Sequence, residues 1–137
     1  MLEHMRRRVA ASGHQHRIRL RGRINDRGAV LEALRRAHAM LFCHLTPESP
    51  RCLIEALASG TPIVGYASPY ARGLVAGEGG GVFVERGDVS GLAGELGRLA
   101  GNREALAALI RGARRSGSAF TDERVFRHRS DLVKRHL

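Results

Sequence analysis

The stretch Thr46-Pro-Glu-Ser-Pro-Arg-Cys-Leu-Ile-Glu-Ala-Leu-Ala-Ser-Gly-Thr-Pro-Ile-Val-Gly-Tyr66 decides the fold. It predicts a loop, a short helix, a tight stop and a buried strand. Ser49 is the expected N-cap, because its hydroxyl can accept a hydrogen bond from a first-turn amide. Pro50 is then expected at the first helical position. Gly60 suits a left-handed C-terminal stop, and Pro62 prevents the helix from continuing.

Two glutamates flank the start of this helix, Glu48 just before it and Glu55 inside it. The amides around Arg51, Cys52 and Leu53, at the positive end of the helix dipole, form a seat for a phosphate. A carboxylate does not bind phosphate, but it accepts hydrogen bonds from ribose or hexose hydroxyls. Amides for a diphosphate beside carboxylates for sugar hydroxyls predict a nucleotide-sugar site.

The segment from Glu48 to Val64 resembles the acidic motif of GT-B glycosyltransferases, especially glycosyltransferase family 4. In that motif a glutamate is followed by seven residues and then by Glu-Ala-Met-Ala-x-Gly-x-Pro-Val. Here only six residues separate Glu48 from Glu55, so Glu55 carries over more directly. The resemblance runs from about Arg17 to the C-terminus. It implies that Glu55 holds the ribose of the donor and that Glu48 is catalytic, near the transferred sugar.

The resemblance implies a retaining glycosyltransferase that moves a sugar from a nucleotide-diphosphate sugar to a glycan or lipid-linked glycan. No metal or other cofactor is expected, because helix amides take the place of a metal at the leaving diphosphate. Ser49 and the first-turn residues Arg51, Cys52 and Leu53 are expected donor contacts. The alternative hypothesis is a noncatalytic nucleotide- or polyanion-binding module, or an inactive gene fragment.

Upstream of this stretch the sequence predicts a helix over Leu2–Ala11 and an edge strand over Arg17–Arg21, whose residues alternate. The resemblance assigns nucleobase contacts to the loop that follows, although a plain turn is the alternative; its residues are Gly22, Arg23 and Ile24. A helix from Asn25 or Asp26 to about His38 leads to a central parallel strand, Ala39–His44. His44, at the strand end, is either a phosphate or hydroxyl ligand or a structural residue.

Downstream of Tyr66, Ala67–Gly73 is expected to be a loop, with Tyr70 and Arg72 as contacts to donor or acceptor. The glycines before the strand Val82–Glu85 lack the Lys-Ser/Thr of a phosphate loop, so a structural turn is expected. Three helices should follow, and their expected N-caps are Asp88, Asn102 and Thr121.

The predicted fold is α/β, an incomplete doubly wound (Rossmann-like) parallel sheet of about four strands with flanking helices and a helical C-terminus. The resemblance implies that residues 1–137 are a partial GT-B C-terminal nucleotide-sugar-binding domain. The resemblance also implies that the first two strands and the N-terminal acceptor domain are missing, so the chain alone is expected to be inactive. A gene fragment, a truncated reading frame or a subunit completed by a partner chain would each explain this.

The composition limits the partners. The formal charge of +10 suits a nucleotide diphosphate or peripheral contact with an anionic membrane. With only 4% aromatic residues there is no stacking platform, so RNA binding is the weakest hypothesis. No apolar run approaches the roughly 20 residues that span a bilayer. The charged start has no apolar run after it, so no secretory signal is expected there. We therefore expect a cytoplasmic protein, peripheral to the inner face of the membrane, with Cys43 and Cys52 as buried reduced thiols.

Overall fold

The computed structural model describes residues 2–46 and 48–136. The chain divides into two compact units, residues 1–30 and residues 31–137. The first unit contains the helix α1 (Leu2–Ala11) and the start of α2 (Arg27–Arg36). No described side chain of this unit is buried, and only Val9 and Val30 are half-buried. The hydrophobic core therefore lies in the second unit.

The second unit is built on a parallel sheet of three strands, β1 (Met40–Phe42), β2 (Ile63–Tyr66) and β3 (Gly81–Val84), in the order β1-β2-β3. Met40 lies beside Ile63, and Ile63 beside Gly81. The helices are α3 (Arg51–Ala58), α4 (Pro69–Val75), α5 (Val89–Gly101), α6 (Arg103–Gly117) and α7 (Asp122–His136), with a 3-10 turn, Ser118–Phe120, before the last. The α/β class with an incomplete Rossmann-like sheet is thus confirmed, although the described residues form three strands instead of about four.

Helices cover both faces of the sheet, as a parallel sheet requires. All four residues of β2 are buried, and they alternate between the two faces. Ile63 packs with Leu53 and Leu57 of α3 and with residues of α4 and α6. Val64 and Tyr66 pack on the opposite face with residues of α5 and α6. This central strand holds the two layers together.

The predicted strand at Arg17–Arg21 is wrong, because these residues form no regular element. Ile18 and Leu20, the apolar residues of the alternating pattern, are exposed. Alternation of apolar and polar residues makes a segment suitable for a sheet. A strand forms only where a neighbouring strand pairs with its backbone groups. All three strands among the described residues belong to the other unit.

The strand expected over Ala39–His44 is shorter and is not central. β1 ends at Phe42 and forms one edge of the described sheet, with β2 as its neighbour. Leu41 is 53% exposed, and Cys43 and His44 are exposed beyond the strand end. The prediction that Cys43 is buried is therefore wrong, since an edge strand is covered on fewer sides than a central one.

The segment expected to be a loop, Ala67–Gly73, begins a helix instead. Ser68 is the N-cap of α4, and its hydroxyl accepts a hydrogen bond from the Ala71 amide at 3.0 Å. Pro69 takes the first helical position, where its missing N–H costs nothing. Tyr70 and Arg72 therefore lie on a helix, which gives them fixed directions.

The remaining boundaries agree with expectation. Asp88 and Asn102 cap α5 and α6, through oxygens 2.8 and 2.9 Å from the amides of Gly91 and Ala105. Thr121 precedes α7 and accepts from the Arg124 amide at 3.4 Å. The glycines before β3 form a structural turn, as predicted, with positive φ at Gly79 and Gly80.

Candidate functional site

The carboxyl ends of the three strands bring several predicted site residues to one edge of the sheet. Residues 43–50 follow β1 and lead into α3, α4 follows β2, and Glu85 follows β3. In open parallel sheets this edge is where ligands bind. The N-terminus of α3 therefore lies at the edge of the sheet where the sequence led us to expect a site.

The N-terminus of α3 differs from the prediction. Pro50, with φ −70° and ψ 126°, is the N-cap, and the helix makes no side-chain cap hydrogen bond there. The prediction that Ser49 caps the helix is wrong, because the chain is still extended at Pro50 and the helix begins one residue later. The first turn of α3 therefore begins without a capping oxygen.

The C-terminus of α3 is fixed as the sequence predicts. Gly60 has φ 77°, and its amide donates to the Leu57 carbonyl at 2.8 Å. The Thr61 amide donates to the Ala56 carbonyl at 2.9 Å, which completes a Schellman motif. The Thr61 hydroxyl also donates to the carbonyl of Leu34 at 2.6 Å. The two amide bonds fix the end of α3, and the hydroxyl bond joins Thr61 to α2.

The packing of α3 fixes which of its faces reaches the edge of the sheet. Leu53, Ala56 and Leu57 are fully buried. Ala58, on the opposite side, is exposed. Glu55 lies next to the buried face and is partly enclosed.

Glu48 lies in a small polar cluster just beyond β1. Its Oε1 accepts from the Thr46 hydroxyl at 2.8 Å, and its Oε2 lies 3.0 Å from His44 Nδ1. The His44 ring stacks on Phe42, with centroids 4.9 Å apart. The His44 and Glu48 side chains are 44% and 53% exposed. The cluster therefore orients a carboxylate and an imidazole that are both open to a ligand.

Glu55 is more enclosed than Glu48, with 24% of its side chain exposed. Its Oε1 lies 3.5 Å from Nε of Arg51, one turn earlier on the same helix. A partly enclosed carboxylate is a better acceptor for a ligand hydroxyl than an exposed one, because less water competes for it.

Cys52 and Tyr70 are the described residues with shifted pKa values. Burial raises the pKa of the Cys52 thiol, and the Glu55 charge raises it further; hydrogen bonds from the amides of Cys52 and Leu53 act in the opposite direction. Burial also raises the pKa of Tyr70, and so does its proximity to Cys52. The first turn of α3 and the first turn of α4 are thus electrostatic neighbours.

A model of the family described as glycosyl transferases group 1 matches residues 2–102, most of the chain. The chain belongs to this family. No curated protein matches it. The matched region contains all three strands and the helices α3, α4 and α5. Membership of this family supports a glycosyltransferase.

Other predicted site residues lie elsewhere or are weakly held. Arg72 Nη2 is 3.9 Å from Glu85 Oε1, and both side chains are more than half exposed, so the pair adds little stability. Gly22, Arg23 and Ile24 lie in the unit 1–30, in an irregular segment before α2, and their role in binding a nucleobase stays a prediction.

Sequence reasoning did not single out three polar residues near this edge of the sheet. Thr46 orients Glu48, Ser68 caps α4, and Glu85 pairs with Arg72. The Ser68-Pro69 dipeptide was a usable signal, because serine before proline commonly starts a helix. Thr46 and Glu85 carry no comparable local signal, since their partners are set by the loop and the sheet.

Two further properties of the described residues bear on the chemistry. Within residues 2–46 and 48–136, no three His, Cys, Asp or Glu side chains come together in a way that could hold a metal ion. Among the same residues, no helix has both the length and the apolar character needed to cross a membrane.

Proposed function

We propose that this chain binds the nucleotide sugar donor of a retaining glycosyltransferase at the N-terminus of α3. The acceptor is a glycan or a lipid-linked glycan, bound by an N-terminal domain or a partner chain. The observation that carries the proposal is the first turn of α3, which has no capping side chain and lies at the carboxyl edge of the sheet beside Glu48 and Glu55. This arrangement lies within the region that matches the glycosyl transferase model.

Each group has a separate task in this proposal. The amides of Arg51 and Cys52 receive the diphosphate, and the helix dipole stabilises the negative charge that grows on it as the sugar leaves. Glu55 accepts hydrogen bonds from the ribose hydroxyls and so positions the nucleotide. No metal is needed for this stabilisation, because the amides are already oriented.

Glu48 is proposed to act beside the transferred sugar. In the reaction the bond from the anomeric carbon to the diphosphate oxygen breaks, and the anomeric carbon bonds to the acceptor oxygen with retained configuration. The acceptor hydroxyl gives its proton to the departing diphosphate oxygen in the same exchange, so the nucleotide leaves as the protonated diphosphate. His44 and Thr46 hold the Glu48 carboxylate in place, which is a positioning role.

Calorimetric titration tests the donor site. The folded chain is titrated with UDP, GDP and inorganic pyrophosphate at moderate salt, beside the Glu55→Gln variant. We expect saturable binding of one nucleotide, weakened at least tenfold by the substitution, because a hydrogen bond to a charged group is worth about 1.5–3 kcal/mol. Pyrophosphate should bind both proteins alike, since it has no ribose. Glu104→Gln, an exposed change in the first turn of α6, is the matched control.

The other outcomes contradict the proposal in distinct ways. If the folded chain binds no nucleotide, the family membership describes its ancestry and not a working donor site. If salt abolishes the binding and Glu55→Gln has no effect, the alternative of a noncatalytic polyanion-binding module is correct. If Glu104→Gln weakens UDP binding as much as Glu55→Gln, the effect is one of net charge.

A further inference from the structure

The unit formed by residues 1–30 has a distinct electrostatic character. It contains eight arginines against two acidic residues, Glu3 and Asp26, a formal excess of six positive charges out of the +10 of the whole chain. The other 107 residues share the remaining four. Since none of its described side chains is buried, these arginines are open to solvent.

The same unit exposes apolar side chains between its arginines. Their exposed fractions are 36% to 43%, and they are Leu2, Met5, Ile18, Leu20 and Ile24. Leu2 and Met5 lie three positions apart on α1, so they share one side of the helix. Single exposed apolar residues are ordinary, but five within 23 positions of a coreless basic segment form a surface of their own.

We propose that residues 2–30 bind an anionic lipid surface. The arginines contact the headgroups, and the exposed apolar side chains enter the boundary between headgroups and acyl chains. A nucleic acid would match the charge but would leave the apolar side chains in water. The segment also has no phenylalanine, tyrosine or tryptophan on which a base could stack. Charge and apolar exposure together therefore favour a membrane surface, independently of the donor site.

Vesicle co-sedimentation of the full chain tests this surface. The partition coefficient is measured for phosphatidylcholine vesicles with and without phosphatidylglycerol. We expect binding only to the anionic vesicles. The triple variant R6Q/R7Q/R8Q should bind about a hundredfold more weakly, because an arginine near an anionic surface contributes about fivefold. The matched control R86Q/R103Q/R111Q removes the same charge from exposed positions of the other unit and should change binding only a few-fold.

A second variant tests the apolar contribution. I18S/L20S/I24S keeps every charge and alters exposed side chains, so the fold of the other unit should not depend on it. High salt screens the electrostatic attraction to the vesicles. Under that condition the wild type should still bind through its apolar side chains, whereas I18S/L20S/I24S should not bind. Circular dichroism of each variant verifies the fold.

Three results would overturn the proposal. Equal binding to vesicles with and without phosphatidylglycerol would remove the anionic requirement. An equal loss in R6Q/R7Q/R8Q and R86Q/R103Q/R111Q would show that net charge acts without a local surface. Absence of vesicle binding, with tight binding of a single-stranded oligonucleotide, would identify a nucleic acid as the partner. The nucleotide titration measures a different property, so the donor site and the lipid-binding surface can fail independently.

Discussion

Cys52 lies in the first turn of α3, and its pKa depends on the groups around it. Its thiol receives hydrogen bonds from the amides of Cys52 and Leu53, and it lies close enough to Glu55 to be affected by that charge. The Cys52 amide is also one of the two that are proposed to hold the diphosphate. Burial dominates these influences and raises its pKa. The reactivity of the thiol is therefore a measure of the electrostatic state of the candidate site.

Alkylation of Cys52 should be slow at neutral pH and should accelerate in alkaline solution. The thiolate is the nucleophile, and a raised pKa keeps it scarce until the pH exceeds the ordinary range for a thiol. Glu55→Gln removes a charge that raises this pKa, so the thiolate becomes more abundant and alkylation at pH 8 becomes faster. The rate is measured with iodoacetamide in a Cys43→Ser background, because Cys43 is exposed and would react as well.

The raised pKa of Cys52 also makes the stability of the fold depend on pH. The folded chain holds the Cys52 proton more tightly than the unfolded chain does, so this group favours folding below the unfolded pKa. The advantage disappears as the pH rises through the folded pKa.

Glu104→Gln is the control for alkylation, and no rate change is expected from it. A slower reaction in Glu55→Gln would contradict the proximity of the two side chains.

At the residue scale, the sequence predicted what local geometry controls. Gly60 was expected in the left-handed region and has φ 77°, because a helix stop of this type needs a residue without a Cβ. The exposure of Cys43 and His44 was not predictable, since it depends on which strands flank β1. The partner of Glu48, Thr46, was missed because the loop conformation brings the two together.

At the scale of elements, the chain offers a comparison of two Ser-Pro dipeptides. Ser49-Pro50 was expected to start a helix in the usual way, and Ser68-Pro69 was assigned to a loop. The structure shows the reverse for the caps: Ser68 caps α4, whereas Ser49 does not cap α3. Local preference permits both arrangements, and tertiary packing decides between them. Ser68 is buried beside β2, while Ser49 is exposed.

Removing the two serine hydroxyls should therefore have unequal effects. Ser68→Ala is expected to lower the free energy of unfolding by about 1 kcal/mol, because the Ala71 amide loses its acceptor. Ser49→Ala should change it by less than about 0.5 kcal/mol, as for an exposed residue without a structural role. Urea denaturation of both variants measures the difference. Equal losses would mean that Ser49 caps α3 after all.

The segment Arg17–Arg21 also shows that a local pattern does not determine structure, here because a strand needs a partner that is distant in the sequence. Its alternation of arginine with Ile18 and Leu20 is typical of a strand, but alternation does not supply a neighbour. β2 is about as short as Arg17–Arg21. It is a strand because β1 and β3 pair with its two edges. Strand existence is thus a tertiary property, whereas the caps of α5 and α6 are local and were predicted correctly.

For the whole molecule, these differences amount to an uneven distribution of stability. β2 is buried along its whole length and lies between two hydrophobic clusters, whereas the unit 1–30 has no buried side chain. Regions with few buried contacts open without unfolding of the core. Hydrogen exchange measured by mass spectrometry should therefore find the amides of Ile63–Tyr66 slowest and those of residues 12–26 exchanging fastest.

This measurement also decides the status of the segment Arg17–Arg21. If it is unpaired, its amides should exchange at nearly the rate of an unfolded peptide, and urea at low concentration should leave that rate unchanged. If they exchange as slowly as the amides of β2, the segment is a paired strand, and the prediction from alternation is right in solution. In that case Ile18 and Leu20 would be turned inward, and the lipid-facing surface would lose two of its five apolar side chains.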